Sequence, residues 1–169
     1  MQRVMIVGSA GSGKSTLART LGSQLDLPVI HLDTYYWRPG WVEPLPDEWR
    51  EQVRALVQPD AWIIDGNYSA TMDLRFEKTD TVIFLDTWRM ICLARTLKRS
   101  LLNHGKTRPD SAPGCPERFN TAFLKWVWTY PVERRPAMLE RLASLPPQIR
   151  VVRLRNNQEI DEFLKEIAR

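Results

Sequence analysis

One stretch constrains this chain more than any other: Gly8-Ser9-Ala10-Gly11-Ser12-Gly13-Lys14-Ser15. It has the spacing G-x-x-x-x-G-K-S, the pattern of a phosphate-binding P-loop. Arg3 to Val7 ahead of it is a short apolar run that predicts a buried strand. Thr16 to Leu25 behind it carries Leu17, Leu21 and Leu25 at helical spacing. Strand, glycine loop and helix are the parts such a site needs. Gly8, Gly11 and Gly13 let the backbone turn successive N–H groups inward. The helix start, with Thr16, adds a positive dipole end and unpaired donors. Lys14 would reach the outer phosphates, and the Ser15 hydroxyl would ligate Mg²⁺.

The rest of the chain repeats this rhythm. Strands are predicted at 28–33, 61–66, 81–86 and 149–154. Helices are predicted from Asp47, around 69–77, over 88–103, over 118–145 and after Asn156 or Asn157. Over 88–103, Ile91, Ala94, Leu97 and Leu101 are the expected inward face. Pro131 and Pro136 should kink or split the helix of 118–145. Residues 34–46 read as a loop rich in Tyr, Trp, Gly and Pro. Alternating strands and helices predict an α/β, three-layer P-loop NTPase fold: a five-stranded parallel sheet with helices on both faces. The 169 residues fit one domain, 1–169. Residues 104–118, with two glycines and three prolines, are too long for an idle connection and form a candidate lid.

Composition limits the class. The chain is 43% hydrophobic and 26% charged, ordinary for a globular domain, and its net charge of +4 is no DNA-binding footprint. The charge is uneven, however. Residues 26–65 hold eight acids and three Lys or Arg, whereas 89–118 hold seven Lys or Arg and two acids. An anionic ligand would be drawn to the second segment. Cys92 and Cys115 form no metal or disulfide pattern. With no apolar run of spanning length and no leader ahead of the first strand, a cytoplasmic protein with free thiols and no membrane partner is expected. No repeat or low-complexity tract is present, and the sequence sets no oligomeric state.

In a parallel sheet the ligand sits at the carboxyl ends of the strands. Asp33, Asp65 and Asp86 are all expected there. Asp65, followed by Gly66, is the first choice to hold Mg²⁺ through water, with Asp86 second. Asp33, beside the aromatic loop, is placed to accept a proton from a substrate hydroxyl or to hold the substrate. Arg95 and Arg99 share a helix face, and Arg108 and Arg118 flank the candidate lid. Planar guanidinium forks suit the charge spread over a transferred phosphoryl group. Tyr35, Tyr36, Trp37 and Trp41 would stack a planar substrate or wall off a sugar. Asn67 and Tyr68 would hydrogen-bond the acceptor. His31 is expected to be structural and His104 to end a helix. Each of these side chains also has a plain alternative: a helix cap, a solvated charge or a loop-anchoring cluster.

Together the P-loop, the strand ending His31-Leu32-Asp33, the loop Tyr35-Tyr36-Trp37-Arg38-Pro39-Gly40-Trp41 and Ile64-Asp65-Gly66-Asn67-Tyr68 resemble a known group. They look like the adenylate-kinase-related proteins labelled "DNA topology modulation protein", FlaR-like, over nearly the whole chain, and more broadly like nucleoside, nucleotide and shikimate kinases. Asp65-Gly66-Asn67-Tyr68 stands where adenylate kinases have Asp-Gly-Phe-Pro-Arg. Asp33-Thr34-Tyr35-Tyr36 is similar to the Asp-x-Phe-Tyr segment of uridine kinases, whose Asp is the base. Arg95 and Arg99 followed by a lid with Arg108 and Arg118 are similar to the adenylate kinase arrangement. The acceptor-phosphate arginine of Asp-Gly-Phe-Pro-Arg has no counterpart here, which weighs against a nucleoside monophosphate acceptor.

The reading that results is an ATP-dependent kinase. It would move a phosphoryl group from Mg²⁺·ATP to a hydroxyl of a small, nucleoside- or nucleotide-like molecule. ATP is expected over GTP, since no Asn-Lys-x-Asp guanine signature is present. The alternative is a nucleotide-binding regulator that touches DNA or a protein partner through 89–118. Nucleic acid is the less favoured partner because no DNA-binding module is evident.

Overall fold

The computed structural model describes residues 1–168. Five strands, β1 (Arg3–Gly8), β2 (Val29–His31), β3 (Trp62–Asp65), β4 (Thr81–Leu85) and β5 (Arg150–Leu154), form one sheet in the order β2-β3-β1-β4-β5, every neighbouring pair parallel. Helices α1 (Lys14–Leu25), α2 (Leu32–Tyr36), α3 (Pro46–Leu56), α4 (Met72–Lys78), α5 (Arg89–Leu102), α6 (Thr121–Glu133), α7 (Arg135–Ala143) and α8 (Asn157–Ile167) complete the described chain. This is the predicted three-layer α/β arrangement.

Strand side chains alternate between the two layers. Met5, Val7, Trp62, Ile64, Val82 and Phe84 meet the α3, α4 and α7 face through Trp49, Val53, Met72, Met138 and Leu142. Val4, Ile6, Ile63, Ile83 and Leu85 meet α1 and α8 through Leu17, Leu21 and Phe163. The central strands β1, β3 and β4 are buried almost throughout, as the doubly covered strands of such a sheet must be. That burial is why they are legible as continuous apolar runs.

Three sequence expectations change. The strand of 28–33 is shorter, because Leu32–Tyr36 closes into a helical turn, with the Thr34 hydroxyl donating to the His31 carbonyl at 2.7 Å. Asp33 therefore opens a helix, where its charge suits the dipole, and does not end a strand. The helix of 118–145 begins at Thr121, capped by Asn120, and breaks at Arg134 ahead of Pro136, while Pro131 is carried inside α6. The inward face of α5 is Cys92, Thr96 and Ser100; Ile91, Ala94 and Leu101 face water. The cause is close packing on the P-loop: a Cβ on Gly11 would lie 2.3 Å from the Cys92 carbonyl oxygen and 2.7 Å from Thr96 Oγ1. Small side chains are what allow that approach.

Candidate active site

The P-loop leaves β1 at the carboxyl edge of the sheet. Gly11 has φ +75° and no room for a Cβ, so this position admits glycine alone. Ser9 Oγ and Ser12 Oγ are buried and have no hydrogen-bond partner, an orphaned pair of hydroxyls within a loop of inward-turned backbone. Lys14 Nζ folds back over the loop and donates to the carbonyls of Gly8 at 3.0 Å and Ser9 at 2.9 Å. Burial lowers the Lys14 ammonium below its ordinary value, against the pull of Asp65 and Asp33. A lysine held on carbonyls, with no carboxylate bonded to it, is left with donors that can turn to an anion.

Asn67 joins this loop to the next one. Its side chain accepts from Gly8 N–H at 3.0 Å and donates to Gly8 C=O at 2.9 Å. It thus acts as an amide clamp on the P-loop and not as an acceptor ligand. Tyr68, with φ +30°, turns its hydroxyl to donate to Asp33 Oδ1 at 2.5 Å. Asp33 is exposed to solvent on one side, with protein packed around the rest of it. That crowding raises its carboxyl above the ordinary range, opposed by the Tyr68 hydrogen bond and by Lys14. The Tyr68 hydroxyl is raised too, by burial and by the Asp33 charge.

Arg75 was invisible in sequence. It is wholly buried without a carboxylate partner, and its guanidinium donates to the carbonyls of Gly66 (2.8 Å), Asn67 (2.5 Å), Tyr68 (2.9 Å) and Thr71 (3.4 Å). Burial pulls it down to about 9, so it stays charged at neutral pH. One cation thus pins the loop that carries both Asn67 and Tyr68. Nothing in the sequence separates this Arg from a solvated one, because its partners are backbone carbonyls.

Asp65 ends β3, as expected, and is buried. His31 Nδ1 stands 2.7 Å from Asp65 Oδ1, so His31, expected to be only structural, orients the candidate metal carboxylate. The hydrogen bond to Asp65 raises the His31 imidazole above its ordinary value, against burial. Asp86 is corrected outright. Arg135 and Arg153 occupy both of its oxygens at 2.5–2.9 Å, and this makes it an ion-pair anchor between β4, α7 and β5. The same arginines hold its carboxyl below the ordinary range against the effect of burial.

The arginines divide. Arg95 lies beside the P-loop, 3.4 Å from the Ser12 carbonyl, and also donates to Asn157 Oδ1 at 3.0 Å. Arg99 and Arg108 converge through their Nε atoms on the buried Glu117, at 3.0 and 2.8 Å, and Arg108 also reaches Asp110 at 3.2 Å. Glu117 is a second residue the sequence did not single out; its position in a loop gave no sign of burial. Arg118 instead lies 5.6 Å above the Trp41 ring.

The aromatic loop and the candidate lid prove to be one structure. Gly40 N–H donates to Gly114 C=O at 2.9 Å, Trp41 Nε1 to Pro116 C=O at 3.1 Å, and Cys115 Sγ to Arg38 C=O at 3.1 Å. The lid base closes on itself through Gly105 N–H to Glu117 C=O and Glu117 N–H to Lys106 C=O, each 2.9 Å. His104 lies in the bridge to Glu117, two residues beyond α5. Tyr36 and Tyr68 pack with each other and with the buried Trp49, ring centroids 4.5–5.2 Å apart, and Trp37 meets Tyr36 at 4.9 Å and Trp41 edge-on at 5.4 Å. Most of the aromatic loop is therefore an anchoring cluster, leaving Tyr35 as its exposed ring.

No family model matches the sequence. The uncharacterized protein YqaC of Bacillus subtilis (strain 168) is 29% identical over 133 residues, which are 76% of this chain and 72% of that protein. Among solved structures, the shikimate kinase of Acinetobacter baumannii in complex with shikimate superposes with a TM-score of 0.61 at 15% identity, covering 99% of this chain and 90% of the other. A gluconokinase of Sinorhizobium meliloti 1021 gives 0.55 at 16%, covering 99% and 89%. A sugar kinase of Janibacter sp. HTCC2649 gives 0.53 at 18%, covering 99% and 96%. The fold is that of the P-loop kinases.

Proposed function

We propose that this protein is an ATP-dependent phosphotransferase acting on a hydroxyl of a small, nucleoside- or nucleotide-like molecule. The observation that carries this reading is the run of contacts that sets a carboxylate beside the P-loop: Lys14 sits on the Gly8 carbonyl, Asn67 clamps Gly8, and its neighbour Tyr68 donates to Asp33 Oδ1 at 2.5 Å. A P-loop alone binds phosphate; a carboxylate held by Tyr68 beside that loop supplies an acceptor side. The residue pattern Asp65-Gly66-Asn67-Tyr68 with the aromatic loop also supports placing the chain among the adenylate-kinase-related, FlaR-like proteins. We take residues 1–169 as one domain with 104–118 as its lid.

The residues fit a nucleotide. The orphaned hydroxyls of Ser9 and Ser12, the backbone from Gly8 to Thr16 and the Lys14 ammonium form an anion cradle. Among the described residues no three His, Cys, Asp or Glu side chains cluster to hold a metal. Mg²⁺ would rest on the Ser15 hydroxyl and the nucleotide, with Asp65 behind it. When bound, Mg²⁺·ATP supplies the phosphoryl group and neutralises its charge. Asp33, with a raised pKa, orients and accepts the acceptor's hydroxyl proton, and Tyr68 holds its other side. Arg95, Arg99 and Arg108 stabilise charge on the transferred group, with Glu117 fixing the last two from behind.

Melting with Mg²⁺·ATP tests the donor side. At about 100 times Kd the protein should gain about 2.7 kcal/mol, and no shift with ATP or GTP refutes the reading. ADP release across a panel of hydroxyl compounds then identifies the acceptor. The DNA-regulator alternative is disfavoured by Arg99 and Arg108, which turn inward to Glu117.

A further inference from the structure

The outer surface of the α5–α6 pair takes no part in this site. While α5 turns Cys92, Thr96 and Ser100 inward, its opposite stripe of Met90, Ile91, Ala94, Lys98, Leu101 and Leu102 faces water. Beside it, α6 exposes Lys125, Trp128 and Val132. Arg89 stacks on Trp128 at 4.2 Å, joining the two helices at that end. These side chains are bare: Leu101 and Val132 are 72% exposed, Leu102 66% and Trp88 65%. Of thirteen exposed large hydrophobic residues among those described, nine lie between Trp88 and Val132. Single exposed apolar groups need no explanation, but a concentration does.

The charge is as one-sided as the hydrophobicity. Residues 87–132 hold eight Lys or Arg and two acids, whereas the rest of the chain holds sixteen and eighteen. Both acids, Asp110 and Glu117, are already ion-paired to Arg108 with little exposure. The next carboxylate, Glu133 at the end of α6, is paired with Arg134 and lies toward Lys125, so Arg89 and Lys98 are the groups this surface leaves without one. At the Trp88 end the surface runs into a shallow pocket with Arg135, Arg153 and Arg155 around Asp86, whose oxygens are taken.

We propose that this surface docks on an anionic lipid bilayer. Exposed Trp, Leu, Ile and Val side chains would enter the headgroup boundary while Lys98 and Lys125 reach the phosphates. A second copy of the chain is a poor occupant, because a two-fold contact would set this cationic stripe against itself. A nucleic acid is a poor one too: Ile91, Leu101, Leu102 and Val132 offer it neither stacking nor hydrogen bonds. The contact is peripheral, since no helix among the described residues is long and apolar enough to cross a membrane. It revises the expectation of no membrane partner and is independent of the kinase reading.

Co-sedimentation with vesicles tests it. The full chain should bind vesicles of phosphatidylcholine with one-third phosphatidylglycerol in low salt and leave pure phosphatidylcholine vesicles alone. Each basic group near such a surface is worth about five-fold in partitioning, so Lys98→Glu with Lys125→Glu should cut binding by at least about 25-fold. Leu101→Glu with Leu102→Glu should abolish binding without changing the melting temperature, since both positions are exposed. Absent binding to the anionic vesicles, or binding untouched by both double variants, overturns the proposal. So does tight binding of a single-stranded oligonucleotide that survives Leu101→Glu with Leu102→Glu.

Discussion

The loop from Gly8 to Ser15 and the paired loops 37–42 and 104–118 hold their shape by different means. The first is contiguous and made of backbone, and its neighbours are the small side chains of α5 and the amide of Asn67. The second is a union of segments more than 70 residues apart, joined by a few hydrogen bonds and a glycine contact. Local backbone geometry is hard to lose by a distant change. A union of loops costs closure entropy and is correspondingly easy to open. Between the two stands the 66–71 segment, pinned by Arg75, with Asn67 on the donor loop and Tyr68 on Asp33. On the proposed function, the donor side is thus built of contiguous backbone, the acceptor side is a union of distant loops, and the 66–71 segment ties the two together.

The largest effect should come from the donor side. Lys14→Ala is expected to lower turnover about 10³-fold, on the scale of losing one strong transition-state donor, while leaving the melting temperature of the unliganded protein almost unchanged. A large fall in stability would mean that Lys14 holds the loop together. Next is the 66–71 segment. Arg75→Met strips donors from carbonyls of Gly66, Asn67 and Tyr68, and should destabilise by about 3 kcal/mol, read as a fall of about 6–12 °C in Tm for a chain of this size. An unchanged Tm would show that the loop supports itself.

The acceptor side should separate from the donor side under Gly114→Val. Gly114 has φ +74°, and a Cβ there would lie 2.9 Å from Pro39 Cβ, so the variant forces the two loops apart. Acceptor-dependent ADP release should fall at least about ten-fold, the strain being about 1–2 kcal/mol, while Mg²⁺·ATP protection persists. Equal loss of both would erase the distinction between the halves. Glu117→Gln keeps the shape but removes the charge between Arg99 and Arg108; it should raise the KM for ATP a few-fold with smaller change in kcat, as steady-state kinetics would show.

The smallest effect concerns His31. Its imidazole is raised in the folded state by Asp65, so its contribution is complete below its ordinary value near 6.5 and is lost as pH rises through the raised value. His31→Asn, whose amide can still donate to Asp65, should therefore cost only about 0.5–1 kcal/mol at pH 5.5, and the gap to wild type should close above that higher value in denaturant melts. A gap independent of pH would mean that packing, not the charged hydrogen bond, is what His31 supplies.

How much was legible follows from these same residues. The P-loop was readable because its chemistry depends on sequence-local backbone, and β1, β3 and β4 because burial on both faces writes an unbroken apolar run. Asp65 was found for the same reason, at the end of such a run. The face of α5 was misread because periodicity assumes that apolar side chains turn inward. Here the inward side had to be thin enough to meet Gly11, and the apolar stripe was left outside. Asp86 looked like Asp65 in sequence and differs only in the arginines that α7 and β5 bring to it.

The chain by itself thus determined a glycine-built P-loop, an alternating α/β order and the carboxylate at the end of β3. Tertiary structure alone decided that Asn67 clamps Gly8, that Arg75 pins the loop between the halves, that Glu117 gathers two arginines and that the aromatic loop and lid are one body. The physical reason is range. Backbone conformation and burial pattern are properties of neighbouring residues, whereas an ion pair or a hydrogen bond between distant segments exists only once the sheet has set them side by side.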